Sequence, residues 1–203
     1  MRIVGNVIIL ILLRVVVFAQ PARQDTTTVF SRPGYDRDPI RSKWRKVVEK
    51  KDSLWEVSFT GRKNVLQEKI SYEDARLEVR KGPYAKYENG VLIIDGAYHS
   101  GYKIGKWSHY DAGGKPFTVY HYKWDKLDGP YQRYWSNGQI KEEGVYTNDQ
   151  ISGKRTLFYS NGKLAASEFF EKNGSFVGIY YNGDGKTVSK SVALSQPSFP
   201  DGI

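Results

Sequence analysis

Residues 129–146 read Gly-Pro-Tyr-Gln-Arg-Tyr-Trp-Ser-Asn-Gly-Gln-Ile-Lys-Glu-Glu-Gly-Val-Tyr, and their reading decides the fold. Asn137-Gly138 sits between two runs rich in aromatic and polar alternation, and an Asn-Gly pair supplies the positive φ that a two-residue type I′ hairpin turn demands. A turn placed there sets Ser136 against Gln139. Counting outward puts Arg133 opposite Glu142 and Tyr131 opposite Gly144. The first is a charge pair. In the second, an aromatic ring covers the bare backbone of a strand glycine.

The same pattern recurs along the chain. Gly82, Gly105, Gly129 and Gly153 are spaced 23, 24 and 24 residues apart, and each leads to an aromatic at Tyr87, Tyr110, Tyr134 or Phe158. A glycine turn follows at Asn89-Gly90, Gly113-Gly114, Asn137-Gly138 or Asn161-Gly162, and then a run ending in Tyr98, Tyr122, Tyr146 or Phe170. Each unit reads as one β-hairpin of a repeat array. In the unit after the quoted one, Arg155 falls opposite Glu168 and Leu157 opposite Ala166, so charge and apolar pairs exchange places in a complementary way. A worn fifth unit runs from Phe176 through Tyr181 and Gly185-Lys186.

Outward from the array, residues 52–81 read as a degenerate version of the meander. Trp55, Val57 and Phe59 alternate, Gly61 to Asn64 form a turn, and Val65 to Tyr72 return. Ile40, Trp44, Val47 and Val48 recur at helical spacing and predict a short amphipathic helix or irregular cap within a polar linker over 20–51. Residues 189–203, with Pro197 and Pro200, are expected to be a disordered tail. The expected organisation is thus a segment 1–19, a linker 20–51, a meander cap 52–81, an array of about five units over 82–188, and the tail. The fold class is all-β.

Residues 1–19 read as a secretory signal peptide. Arg2 opens an apolar run from Ile3, and Val17-Phe18-Ala19 sets small residues at the minus-three and minus-one positions of a cleavage site before Gln20. Arg14 splits the run, which leaves an apolar core shorter than the ~20 residues a spanning helix needs. No second stretch of that length follows, so the mature chain is expected to be secreted or periplasmic, without a transmembrane segment. The absence of cysteine in an exported chain favours a bacterial envelope over a eukaryotic extracellular space, where small domains lean on disulfides.

Composition excludes much chemistry. With no Cys and three His among 203 residues, thiolate catalysis and Cys-ligated metals are out. His99, His109 and His121 lack an acid or nucleophile at motif spacing, and Gly183-Asp-Gly-Lys186 occupies a turn and lacks the full phosphate-loop pattern. Asp125, Asp128 and Asp149 fall in loops between hairpins, where turn formation is their default role. Asn173-Gly-Ser175 matches a glycosylation sequon that matters only in a eukaryotic secretory pathway. No cofactor, metal or enzymatic activity is expected. The net charge is +9, but its excess lies before residue 82, so the near-neutral array makes nucleic acid an unlikely partner.

The pattern Gly-Lys-Trp-x-x-Tyr-x-x-Gly-Gly-Lys at 105–115, and Gly-Pro-Tyr-x-x-Tyr-x-x-Asn-Gly-Gln at 129–139, resembles the bacterial variant of the MORN repeat. The resemblance covers residues 82–188. It implies an elongated antiparallel sheet of stacked hairpins used for binding or scaffolding, and it carries no catalytic residue. Some bacterial members carry an antitoxin label, which would suit an exported chain only if the toxin were exported too.

Two roles are open to the aromatic residues. Tyr98, Tyr122, Tyr146 and Phe170 are expected to stack as a structural ladder, because a lone hairpin buries little. Trp107, Tyr131 and Trp135 are the candidates for an exposed platform, since flat rings offer large contact area at small entropic cost. A protein partner at the cell envelope is the first expectation for such a platform. A glycan or cell-wall polymer such as peptidoglycan is the second.

Overall fold

Alternation in the sequence becomes a ladder in three dimensions. In the computed structural model, which describes residues 25–30, 44–196 and 198–200, sixteen strands join antiparallel in one sheet that follows chain order. β1 (Asp25–Phe30), β2 (Trp44–Lys51), β3 (Leu54–Thr60) and β4 (Leu66–Tyr72) come first. The five repeat hairpins begin with β5 (Arg80–Glu88) and β6 (Val91–His99), then β7 (Tyr102–Tyr110) and β8 (Pro116–Lys123). After the two-residue β9 (Lys126–Leu127) come β10 (Gly129–Tyr134) and β11 (Ile140–Thr147). After β12 (Gln150–Ile151) come β13 (Gly153–Phe158) and β14 (Leu164–Phe170), and last β15 (Phe176–Tyr181) and β16 (Thr187–Val188).

The register derived from the sequence is the one observed. Tyr131 pairs with Gly144, Arg133 with Glu142, Arg155 with Glu168 and Leu157 with Ala166. The turn between them is different. Gly138 N–H donates to Trp135 O and Trp135 N–H to Gln139 O, each at 2.8 Å, and of the two central residues only Gly138 has a positive φ, 86°. This is a three-residue type I loop closed by a glycine bulge. Asn137 stays out of the left-handed region because its Oδ1 accepts the Gln139 N–H at 3.0 Å, an Asx turn. The register slip between Arg133 and Tyr134 cancels the extra loop residue, which is why the outer pairs fall as counted. The two-residue geometry does occur at Asn89-Gly90, Ser100-Gly101, Trp124-Asp125 and Asn148-Asp149, where both residues have positive φ.

Three expectations are corrected. Residues 44–51 are strand β2 and not helix, with Val48 opposite Val57 and Lys46 opposite Phe59. The apolar spacing suits either structure, but only a strand satisfies the edge of β3 and sends Val48 to the core cluster. Ile40 of the expected helix lies outside the described residues. Part of the expected linker, Asp25–Phe30, is strand β1 on the edge of β2. The expected tail includes a short helix, α1 (Lys190–Leu194), with Ser189 as its N-cap. Ala193 and Phe199 are buried against Leu157, Tyr159 and Tyr180, because the last unit of a stacked array presents apolar surface that something must cover. The signal-peptide segment 1–19 lies outside the described residues.

Alternation gives the sheet two faces. One, here called the inner face, carries the buried apolar residues in two clusters: Val57, Phe59, Ile70, Tyr98 and Trp107 towards the N-terminus, and Leu157, Tyr159, Ala165, Ala166, Tyr180, Ala193 and Phe199 towards the C-terminus. Turn side chains tie neighbouring hairpins. Asp125 Oδ1 accepts the Lys103 N–H at 2.6 Å, and Asp149 Oδ1 accepts the Leu127 N–H at 2.7 Å, each reaching back one unit. At the other end, Asn137 Nδ2 donates to Ser160 O at 2.7 Å.

Candidate binding surface

The inner face is a core. Trp107 and Tyr131 are each 2% exposed, which corrects the expectation that they form an open platform. Trp107 stacks on Tyr84 with centroids 5.4 Å apart, meets Tyr98 edge-on at 5.1 Å, and lies against Gly96, where any added Cβ would fall inside the indole. Tyr131 does the same to Gly144, where a Cβ would stand 2.9 Å from its ring. The physical reason is register. An aromatic beside a strand glycine drops into the space the missing side chain leaves, so the most glycine-facing rings become the most buried. Trp135 is half-buried at the turn, with its Nε1 donating to Phe158 O at 3.0 Å and the Lys141 ammonium 4.8 Å above its ring. The sequence brought Trp107, Tyr131 and Trp135 together as one surface, and the structure does not.

The ladder residues share the inner face with these rings. Tyr98 and Tyr146 are buried, at 8% and 9% exposure, and Tyr122 and Phe170 are half-buried. Tyr146 packs on Tyr131 at 4.6 Å, and Phe170 stacks on Phe176 at 4.8 Å.

Between the two apolar clusters runs a buried polar seam. Glu142 is fully buried, accepts the Tyr131 hydroxyl at 2.5 Å, and faces Arg133 at 3.1 Å and Arg155 at 3.6 Å. Arg155 in turn pairs with Glu168, whose other oxygen accepts the Tyr180 hydroxyl at 2.5 Å. Burial and then hydrogen bonding to a carboxylate push the phenols of Tyr131 and Tyr180 far above their ordinary range. Burial disfavours the Arg155 charge, but the hydrogen bond to Glu168 and the charges of Glu168 and Glu142 hold its guanidinium above the usual value. Every member has a partner, as a buried network requires. The seam is therefore structural, and it offers no group free to react.

On the outer face lie most of the exposed large apolar residues of β11 to β15. A shallow trough of about 400 Å³ crosses β8, β10, β11 and β13, lined by Val119, His121, Gln132, Glu143, Val145 and Lys154. His121 Nδ1 donates to Pro130 O at 2.7 Å, which fixes the ring as one wall. Register continues this row from Pro130 and Val145 to Lys154, Phe169 and Val177. Val145 is 42% exposed, Phe169 54%, Ile179 55% and Val177 71%. None of these four stands out from the repeat pattern as a binding residue, although a signal is present: Val145-Tyr146 and Phe169-Phe170 put two apolar residues side by side, which a one-faced strand does not need.

Among the described residues no group of three or more His, Asp or Glu side chains is placed to hold a metal ion, and no helix is long and apolar enough to cross a membrane. The carboxylates Asp125 and Asp149 are engaged in the backbone caps already described. No curated protein matches the chain. A family model described as a MORN repeat variant matches residues 127–148 and 151–172, which are two adjacent hairpin units that contain Glu142, Glu168 and their turns.

Proposed function

We propose that this chain is an exported, non-catalytic repeat protein that binds a protein partner at the bacterial cell envelope through the outer face of β10 to β15. The observation that carries this reading is the row Val145, Phe169 and Val177 with Ile179 beside it. Val145 lines the trough, Lys154 stands between it and Phe169 in the row, and Phe169, Val177 and Ile179 are exposed side by side beyond; an exposed apolar patch rimmed by polar residues in this way marks an interaction site. Repeats similar to the MORN variant are binding modules, which agrees with the polar seam being fully satisfied and offering no reactive group. The aromatic platform of Trp107, Tyr131 and Trp135, expected for a protein or a glycan alike, is lost with the burial of Trp107 and Tyr131, and the protein reading rests on the outer-face row in its place.

The test is photo-crosslinking in expressing cells. A crosslinking residue at Phe169 or Val145 should yield one adduct of the same defined mass at both positions, a mass other than twice that of the chain, and none when placed at Lys63 in a distant turn. Absence of adducts at both outer-face positions would remove the reading. In the same preparation, the processed chain is expected to begin at Gln20 and to fractionate outside the cytoplasm, and an unprocessed cytoplasmic chain would remove the export part.

A further inference from the structure

The last long strand of the sheet has an open side. β15 pairs with β14 along its whole length, from Phe170 opposite Phe176 to Ala166 opposite Tyr180. On its other side β16 engages only Tyr180 and Tyr181, and the chain then leaves the sheet plane at Ser189 to form α1. Among the described residues nothing pairs with the outer side of β15 from Phe176 to Ile179. The direction of the backbone groups there follows from the flanking turns. Glu171 N–H bonds Ser175 O on the β14 side, and Asn182 N–H bonds Lys186 O on the β16 side. Antiparallel ladders alternate, so Val177 and Ile179 point their N–H and C=O at β14, while Phe176 and Gly178 point theirs at the open side. Four backbone groups are left facing outward.

Natural sheets blunt such an edge with lysine, proline, a bulge or a covering segment. The stretch Phe176-Val177-Gly178-Ile179 itself contains no lysine, proline or bulge, and all four residues are exposed; α1 packs against β15 and sets the Lys190 ammonium 4.8 Å above the Phe176 ring, but among the described residues it pairs with none of the strand's backbone groups. It is also complementary to itself. Run antiparallel to a copy of itself with Val177 facing Val177, it sets Phe176 against Gly178 of the second copy and Gly178 against Phe176. That register joins all four free backbone groups in two hydrogen-bonded pairs. It stops short of Tyr180, which Val188 already occupies. It repeats the aromatic-against-glycine pairing of Tyr84 with Gly96 and Tyr131 with Gly144. It also places the two valines at a non-hydrogen-bonded position, where side chains approach most closely.

We propose that the open edge of β15 binds the same edge of a second copy of this chain, giving a two-fold dimer whose sheets run continuously from one copy into the other. The axis stands perpendicular to the sheet at Val177, so the contact is isologous and closes at two copies. The outer faces of both copies then lie on the same side, and their Phe169, Val177 and Ile179 merge into one apolar surface at the centre. The dimer goes beyond the proposed partner binding and stands without it, since it uses the strand edge rather than the face.

Sedimentation of the purified, processed protein over rising concentration tests this, with Val177→Lys and Val177→Glu as the variants. Val177 is 71% exposed, so neither substitution disturbs the fold, and circular dichroism verifies that. Wild type is expected to sediment as a reversible dimer and each variant alone as a monomer. An equimolar mixture of the two variants should form a dimer again, because the introduced ammonium of one chain would face the introduced carboxylate of the other. Hydrogen exchange of the wild type should show protection at Phe176 and Gly178 that grows with concentration. A wild type that stays monomeric, a variant that still forms homodimers, or growth past two copies into open polymers would each overturn the proposal. Crosslinked adducts at Phe169 of twice the chain mass report the second copy, and adducts of any other mass report the separate partner.

Discussion

The two halves of the array share one backbone plan and fill it differently. Under β3 to β8 the inner face is apolar and aromatic, with Trp107 resting on Gly96 among Tyr84, Tyr98 and Tyr122. Under β10 to β14 the corresponding row runs Tyr131, Gly144, Arg155, Glu168, and the adjacent row carries Arg133 and Glu142. The difference teaches that the hairpin geometry is set by turns and glycines, whereas the face will accept either rings or ion pairs. The condition is that every buried charge be matched. A repeat array permits this because each unit answers only to its neighbours.

Replacing the centre of the apolar half should have the largest effect. Trp107→Ala removes a ring with 2% exposure and is expected to cost about 3–5 kcal/mol, read as a fall in the denaturant midpoint. Trp107→Phe should cost much less, because the indole N–H is buried without an acceptor and its loss offsets part of the lost contact. Equal losses for both variants would show that indole shape, and not ring burial, holds this half.

In the polar half, Glu142→Ala is expected to cost about 3 kcal/mol, since it strands Arg133 and Arg155 beside an apolar space. The value sits at the low end for a buried pair because Arg133 remains 25% exposed and Arg155 keeps Glu168. Hydrogen exchange should show the damage in β10 to β14, with β3 to β6 spared. Uniform loss across both halves would mean that they fold as one unit and that the comparison has no energetic meaning.

The smallest effects are those of pH, with an alkaline limb to which buried phenols of both halves contribute, Tyr84 and Tyr98 in the apolar half included, and an acid limb to which His109 contributes. The Tyr131 and Tyr180 phenols stay protonated in the fold well above their ordinary value of 10, so their contribution is complete below pH 10 and is lost as pH climbs beyond it. Tyr131→Phe should flatten that alkaline decline. In the other half, burial and the nearby Lys103 charge hold the His109 imidazole below its ordinary 6.5. Its contribution is therefore present above pH 6.5 and lost on acidification, and His109→Gln should flatten the acid side. Denaturation midpoints measured across both ranges check the two limbs independently.

Much of the site was legible as pairing and little of it as exposure. Arg133 with Glu142 and Tyr131 with Gly144 could be counted from Asn137-Gly138 because strand register is arithmetic once a turn is placed. Which face was core could not be counted. Trp107 and the ladder residue Tyr98 look alike as aromatic residues in a strand, and only their contact at 5.1 Å shows that they share one side. The Trp44 to Val48 spacing failed for a related reason: five residues fit a helix or a strand, and the free edge of β3 chose.

Local chemistry along the chain determined the repeat length, the hairpin boundaries, the all-β class and the cross-strand partners, because turns and alternation act over a few residues and need no distant contact. The tertiary structure alone decided what lies between units: the burial of Trp107 and Tyr131, the joining of Glu142 and Glu168 through Arg155, the folding of Phe199 back onto Tyr159, and the open edge of β15. Those outcomes depend on how strands more than one hairpin apart compete for the same space and the same hydrogen bonds. That competition is a property of the assembled sheet, and no single stretch of sequence contains it.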